Sequence, residues 1–247
     1  MRDLTVYIPT RGRPSNMLRL SKALHETTTE DTNWLFIIDR DDYSSQQAAD
    51  DNHLSWANPA QDVPSGGMVA PLNSVVMEDL TPCGSTFELE GVGVLCDCNK
   101  FTDSYAVAFI GDDMLPRTHG WDARYLDELR AGNLLTFGND LLQSEKMPTA
   151  VAMNADIPRT LGYMAPPGLT HLYADNVWKL WGEALQSISY LPDVIIEHLH
   201  YTNGKTTVDD TYERVNNDQA RHAAVTAFYD YQEGDLEGDL EKLRKLL

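Results

Sequence analysis

Basic residues are scarce in this sequence. Against 38 Asp and Glu stand 19 Lys and Arg in 247 residues, a formal charge of −19. A chain that acidic repels phosphate backbones and anionic membrane surfaces, so general nucleic-acid binding is not expected. Cysteine is scarcer still, with three in all: Cys83, Cys96 and Cys98. Three thiols cannot all pair within one chain, and Cys-x-Cys is not zinc-ribbon spacing. Reduced thiols in a cytoplasmic protein are expected instead. No apolar run reaches the length of a membrane span. The first residues, Met-Arg-Asp-Leu-Thr-Val-Tyr-Ile-Pro, enter a strand-like pattern without the apolar core of a signal peptide. Long repeats and low-complexity tracts are also missing. These absences exclude the membrane, disulfide-framework and fibrous classes. What is left is a globular chain, 42% hydrophobic and 23% charged, long enough to bury a sizeable core.

Strand and helix signals alternate through the first half, which predicts an α/β fold. Leu4 to Pro9 reads as a strand and Ser15 as the N-cap of a helix carrying Met17, Leu20 and Leu24 on one face. Trp34 to Ile38 is the next strand, residues 43–67 a helix and then a loop, and Tyr105 to Ile110 a third strand. Leu134 to Phe137 and Thr149 to Met153 look like shorter ones. A helix is expected from Asp175, a strand over Val194 to His200 and a helical stretch over residues 211–231. The tail, residues 232–247, reads as an amphipathic helix that docks or pairs. Open α/β sheets bind ligands beyond the carboxyl ends of their strands. Three predicted strands end in polar clusters there: Thr10-Arg11-Gly12-Arg13, Asp39-Arg40-Asp41-Asp42 and Gly111-Asp112-Asp113.

Asp112-Asp113 is the strongest single feature. Adjacent carboxylates at a buried rim need a cation or several donors to stay ionised, and hard oxygen ligands suit Mg²⁺ or Mn²⁺. A solvated turn is the plain alternative. On a strand over Val194 to His200, Val194, Ile196, His198 and His200 share one face, so both histidines can reach one metal. Arg11 and Arg13 precede a helix N-terminus, a place that favours anions, and are candidate phosphate ligands. Lys205 in the Asn203-Gly204-Lys205 turn could close over the same phosphates. Asp175 is a good helix cap and equally a suitable general base for a hydroxyl nucleophile.

In order and spacing these motifs resemble the GT-A-fold glycosyltransferases of the family 2 type, in particular small phage and actinobacterial members. The matching residues are Ile8-Pro9-Thr10-Arg11-Gly12-Arg13-Pro14, Ile37-Ile38-Asp39, Phe109-Ile110-Gly111-Asp112-Asp113 with Pro116-Arg117-Thr118-His119-Gly120-Trp121-Asp122, His171-Leu172-Tyr173-Ala174-Asp175-Asn176, and Glu197-His198-Leu199-His200 with Gly204-Lys205. The likeness spans about residues 4–215. It implies a mixed, mainly parallel sheet flanked by helices. It also implies one domain over 1–231, with a nucleotide-sugar half (1–122) and an acceptor half (123–231), followed by the tail.

The resemblance further implies a metal-dependent transferase, inverting, that moves a sugar from a nucleotide-diphosphate sugar to an acceptor hydroxyl. Pro9, Thr10, Arg11, Arg13, Asp39, Asp112 and Lys205 would hold the donor. Gly111 stands where the family's Asp-x-Asp motif has its first Asp, Asp113 would ligate Mn²⁺ or Mg²⁺, and His198 or His200 would complete the metal shell. Asp175 would be the base. Trp121, Tyr163 and Gly168 would border the acceptor, a glycan or a protein, and a virion protein if the phage kinship holds. The apolar stripe of the tail is compatible with a homodimer. Two other readings stay open. A sugar-nucleotide nucleotidyltransferase uses a related sheet, but with a Gly-rich first loop and an early lysine that this chain lacks. A non-catalytic carbohydrate- or virion-binding protein would not need this set of acids and histidines.

Overall fold

The computed structural model describes residues 3–81 and 104–247, together with the backbone of a hairpin between them. Cys83 and Cys98 lie outside the described residues, and of Cys96 only the backbone is described. The chain runs β1 (Leu4–Thr10), α1 (Pro14–Thr27), β2 (Thr32–Ile38), α2 (Tyr43–Asp51), β3 (Trp56–Ala57) and α3 (Val69–Leu80), then the hairpin β4 (Thr86–Leu89) and β5 (Gly93–Cys96). It continues through β6 (Ala106–Phe109), β7 (Met114–Pro116), α4 (Trp121–Arg130), β8 (Leu135–Asn139), β9 (Val151–Asn154), α5 (Asp156–Leu161), α6 (Ala174–Ala184) and β10 (Ile188–His198). Three helices close it: α7 (Asp210–Asn216), α8 (Asp218–Glu233) and α9 (Leu236–Leu243). Among the described residues no helix is long and apolar enough to cross a membrane.

Eight strands form one sheet in the order β3-β2-β1-β6-β9-β8-β10-β7. The pairs β2–β3, β1–β2, β1–β6 and β8–β10 are parallel, and β6–β9, β8–β9 and β7–β10 antiparallel. This is the mixed, mainly parallel α/β sheet that the motifs imply. The period-2 pattern of the strands explains the layering, because successive side chains leave a strand on opposite faces. Leu4, Val6 and Ile8 of β1 pack with Met17, Leu20 and Leu24 of α1 and with Trp121 and Tyr125 of α4. Tyr7 points the other way, to α3 and α6. In β2, Phe36 and Ile38 join the first layer, Leu35 and Ile37 the second. Strands with buried residues on both faces make a sheet covered from both sides.

Local chemistry moves several element boundaries. Helix α1 begins at Pro14, whose fixed φ suits a first helical position, so Arg13 is the N-cap and Ser15 lies inside the first turn. The predicted helix over 211–231 is broken at Asn217, whose carboxamide oxygen accepts from Ala220 N at 2.9 Å and caps α8. Strand β10 contains an irregularity: Leu191 pairs with Gly138, but the next partner, Asn139, pairs with Ile195. Leu191, Val194 and Ile196 all face the α1–α4 layer, so the facing parity changes between residues 191 and 194. Gly138 makes room for this bulge, since a Cβ there would lie 2.4 Å from the Val194 carbonyl oxygen. The tail docks. Leu240 and Leu243 of α9 join the α3–α6 layer, and buried Asp239 accepts hydrogen bonds from the Tyr163 and Tyr231 hydroxyls.

Asp122, fully buried in the first turn of α4, receives the N–H groups of Thr29 and Glu30 at 2.9 Å each and the Thr32 hydroxyl at 2.9 Å. It pins the α1–β2 connection to α4. Asp122→Ala would strand those donors, and we expect a loss of about 3 kcal/mol in urea unfolding.

Candidate active site

Strands β1, β2 and β6 deliver their polar ends to one rim. There the chain forms a cleft of about 470 Å³ whose walls include Pro9, Thr10, Arg11, Arg13, Asp39, Asp112, Asp113, Asp175, His198 and His200. Ten of the residues singled out in the sequence thus meet in one place. At the ends of β1 and β2 Arg11 bridges Asp39 and Asp41 at 2.6 Å each, and Gly66 N donates to Asp39 Oδ2 at 2.9 Å.

The centre is organised around Asp112 and Asp113, both nearly buried. Thr10 Oγ1 donates to Asp112 Oδ2 at 2.6 Å, and Arg13 Nη1 reaches Asp112 Oδ1 at 3.0 Å and Asp113 Oδ2 at 3.6 Å. The same guanidinium is held from the other side by both oxygens of Asp209, at 2.7 and 2.8 Å, and lies over the Tyr212 ring. Tyr212 also donates its hydroxyl to Asp113 Oδ2 at 2.6 Å. Burial and the neighbouring Asp113 charge push the Asp112 carboxyl above the ordinary range. Burial acts the same way on Asp113, but His198, Tyr212 and Arg13 outweigh it and hold that group low.

His198 ends β10. Its Nε2 is 3.5 Å from Asp113 Oδ1 and its Nδ1 3.8 Å from Asp140 Oδ2. Burial works against a charge on this imidazole, yet the two carboxylates outweigh it and raise it to about 9. His200 does not continue the strand face, a correction to the reading of β10. It caps a short 3-10 turn, Tyr201–Asn203, with Nδ1 2.8 Å from the Thr202 hydroxyl. Its ring stands 5.2 Å from that of His198, so His198 is the histidine beside Asp113.

Asp175 lies in the cleft wall in the first turn of α6, but it does not cap that helix. The cap position is Tyr173, a non-glycine residue at φ +74°, stacked on Phe228 at 4.9 Å. Asp175 accepts from Asn176 N at 3.0 Å, and burial pushes its carboxyl up. His171 nearby is pushed down to about 4, first by burial and then by Arg214.

Four expectations are corrected. Lys205 Nζ is paired with Glu197 Oε1 at 2.6 Å, outside the cleft walls. Glu197 and His198 are neighbours on a strand and face opposite ways, so the lysine is drawn to the outer face. Trp121 is fully buried against Tyr125 in the α1–α4 layer and cannot border an acceptor. Tyr163 is tied to Asp239, and neither it nor exposed Gly168 lines the cleft. Arg214 and Arg221 do line it and make no ion pair among the described residues.

Sequence reasoning missed Asp140, Asp209, Tyr212 and Arg214. Asp140 was within reach of the strand-end rule, because β8 runs on to Asn139. Asp209 and Tyr212 sit on a helix start that carried only capping chemistry, Asp209 accepting from Tyr212 N at 3.0 Å, and Arg214 lies in the last turn of the same helix.

Among the described residues no three His, Cys, Asp or Glu side chains converge as a metal cluster. Asp113 and His198 nevertheless fit a divalent ion. One carboxylate with one imidazole suits Mn²⁺ or Mg²⁺, which characteristically take few protein ligands and complete their shell with phosphate oxygens and water. Nδ1 of His198, buried without a hydrogen-bond partner, is the counterpart such a ligand uses for orientation.

Removing Arg13 would leave Asp112, Asp113 and Asp209 without their shared cation. Arg13→Ala should cost about 3–5 kcal/mol in urea unfolding at neutral pH. Asp112→Asn added to it should restore a large part of that loss.

No family model matches this chain, and no curated protein matches it. Solved structures do. TarS residues 1–349 of S. aureus in complex with UDP shares 15% identity, at a TM-score of 0.56 over 96% of this chain and 74% of that one. The mannosyltransferase PcManGT from Pyrobaculum calidifontis in complex with GDP-Man and Mn²⁺ shares 12%, at 0.57 over 100% and 81%. Glucosyl-3-phosphoglycerate synthase from Mycobacterium tuberculosis in complex with Mn²⁺, UDP-Glc and phosphoglyceric acid shares 10%, at 0.59 over 92% and 80%. At these identities the likeness is one of architecture, and the architecture is that of the GT-A glycosyltransferases.

Proposed function

We propose that the protein is a metal-dependent glycosyltransferase that transfers a sugar from a nucleoside-diphosphate sugar to an acceptor hydroxyl with inversion. The observation that carries this reading is the convergence of Asp113, His198 and Asp175 in one cleft at the carboxyl ends of β1, β2 and β6. The bound nucleotides, sugars and Mn²⁺ of the structural relatives support it.

In this reading Asp39 and Arg11 take the base and ribose. Asp113 and His198 hold the divalent ion, which supplies positive charge to the leaving diphosphate. Arg214, facing the cleft without an ion pair among the described residues, takes the role first given to Lys205 and adds a second positive charge there. Thr10 and Arg13 keep Asp112 and Asp113 fixed. Asp175 accepts the proton of the acceptor hydroxyl as its oxygen bonds to the anomeric carbon and the bond to the diphosphate oxygen breaks. Desolvation, by raising this carboxyl, makes it a stronger base than an exposed aspartate.

The test is nucleoside diphosphate release from a panel of UDP-, GDP- and TDP-sugars, with Mn²⁺ or with EDTA. We expect release by the wild type with Mn²⁺, none with EDTA and none by Asp113→Ala. Asp175→Asn should bind donor normally and lose about 10²–10⁴ in kcat. Because the Asp175 carboxyl is raised and the base must be ionised, activity should fall with decreasing pH at values above the ordinary aspartate range of about 4. A chain that neither binds nor turns over any of these donors is not a glycosyltransferase.

A further inference from the structure

Asp140 follows the last residue of β8 and is almost completely buried. Both of its carboxylate oxygens are fixed. Oδ1 accepts three successive N–H groups, from Leu142 at 2.9 Å, Gln143 at 2.7 Å and Ser144 at 2.9 Å. Oδ2 accepts the Thr149 hydroxyl at 2.8 Å. The main chain is joined as well, His198 N donating to the Asp140 carbonyl at 2.9 Å. A carboxylate bound this way cannot swing.

Its Oδ2 faces Nδ1 of His198 at 3.8 Å, and that nitrogen is buried with no hydrogen-bond partner. On the opposite side of the same ring, Nε2 faces Asp113 at 3.5 Å. The imidazole therefore lies between two acids, one rigid and internal, the other opening to the cleft. Three N–H groups hold Oδ1, and Oδ2, anchored by the Thr149 hydroxyl, is the oxygen turned toward the ring. A second carboxylate behind a ligating histidine fixes which nitrogen carries the proton and which offers its lone pair.

Resting on the metal reading of the site, we propose that Asp140 is a positioning residue. It holds the proton of His198 on Nδ1 and aims the Nε2 lone pair at the ion shared with Asp113. Asp140 touches neither substrate nor ion and acts only through the ring. Thr149 supports it by anchoring Oδ2.

Mn²⁺ alone, titrated into the full chain and followed by the electron paramagnetic resonance of the free ion, tests this, with melting temperatures recorded alongside. Asp140→Asn keeps an oxygen for the three N–H groups and turns the face toward His198 into a donor. Its Mn²⁺ affinity should fall about 10- to 100-fold. His198→Ala should lose at least as much, and the double variant no more than His198→Ala alone, because the effect passes through the ring. Wild-type affinity in Asp140→Asn overturns the proposal, as does a double variant that adds the full Asp140→Asn loss to that of His198→Ala. If Asp140→Asn melts too low to titrate, Thr149→Val carries the test. It removes one hydrogen bond and leaves the three N–H groups on Oδ1 in place, so the chain should stay folded at the titration temperature and bind Mn²⁺ more weakly, and an unchanged affinity overturns the role. A wild type that binds no Mn²⁺ removes the metal reading itself, and Asp140's part with it.

Discussion

Two adjacent aspartates at the end of a central strand repel each other, and burial sharpens the repulsion by removing water. The arrangement of this cleft answers that constraint. Arg13 supplies the counter-charge from the β1–α1 connection, where Pro14 starts the helix one residue later and leaves the arginine free to turn inward. Asp209 anchors the guanidinium from the remote end of the chain, and Tyr212 adds a hydroxyl to Asp113. Helix α7 is thereby tied to β6 by polar contacts as well as by packing. His198 completes the set from β10, and Asp140 stands behind it. Five separate segments are joined through one pair of carboxylates.

What the sequence made legible was what short-range chemistry dictates. Alternation in Leu4-Thr5-Val6-Tyr7-Ile8 and in Leu35-Phe36-Ile37-Ile38 decides which layer each side chain enters, and the strands follow. Polar clusters beyond β1, β2 and β6 fall at the cleft because topology puts strand ends together, whatever their partners. Partners were harder to read. Glu197 competes for Lys205 across a distance of 8 residues, and nothing in the residue types indicates that the ion pair wins over a place in the cleft. Trp121 looks like a surface aromatic in a Gly-Trp-Asp turn. It is buried because Asp122 beside it is consumed by the backbone of residues 29 and 30, which draws the start of α4 inward. Asp209 and Tyr212 reach the centre through contacts of about 100 residues or more in sequence, 196 for Arg13 with Asp209 and 99 for Asp113 with Tyr212, beyond any local pattern.

The charge of the chain and the charge of the cleft differ in kind. Of the cations that sequence placed at the rim, Arg11 and Arg13 are each spent on two or more carboxylates. Among the described residues, the arginines that line the cavity without an ion pair are Arg214 on α7 and Arg221 on α8, not those of the first loop. An anionic ligand thus meets a surface whose long-range field opposes it and whose short-range contacts attract it. Screening by salt weakens the first much more than the second, since it acts beyond about 10 Å at 0.1 M ionic strength.

The bulge in β10 carries a consequence for how this chain tolerates changes of length. Between Leu191 and Val194 the strand resets its facing parity, and His198 takes its direction from the count of residues after that reset. Replacing Asp193, exposed there and paired with Arg124, alters a surface contact. Between the reset and His198, deleting one residue would turn Leu199 toward Asp113 in place of the imidazole, and inserting one would turn Glu197 there. In this segment spacing is under tighter constraint than identity, so substitutions would accumulate at Pro192 and Asp193 long before an insertion or deletion was accepted.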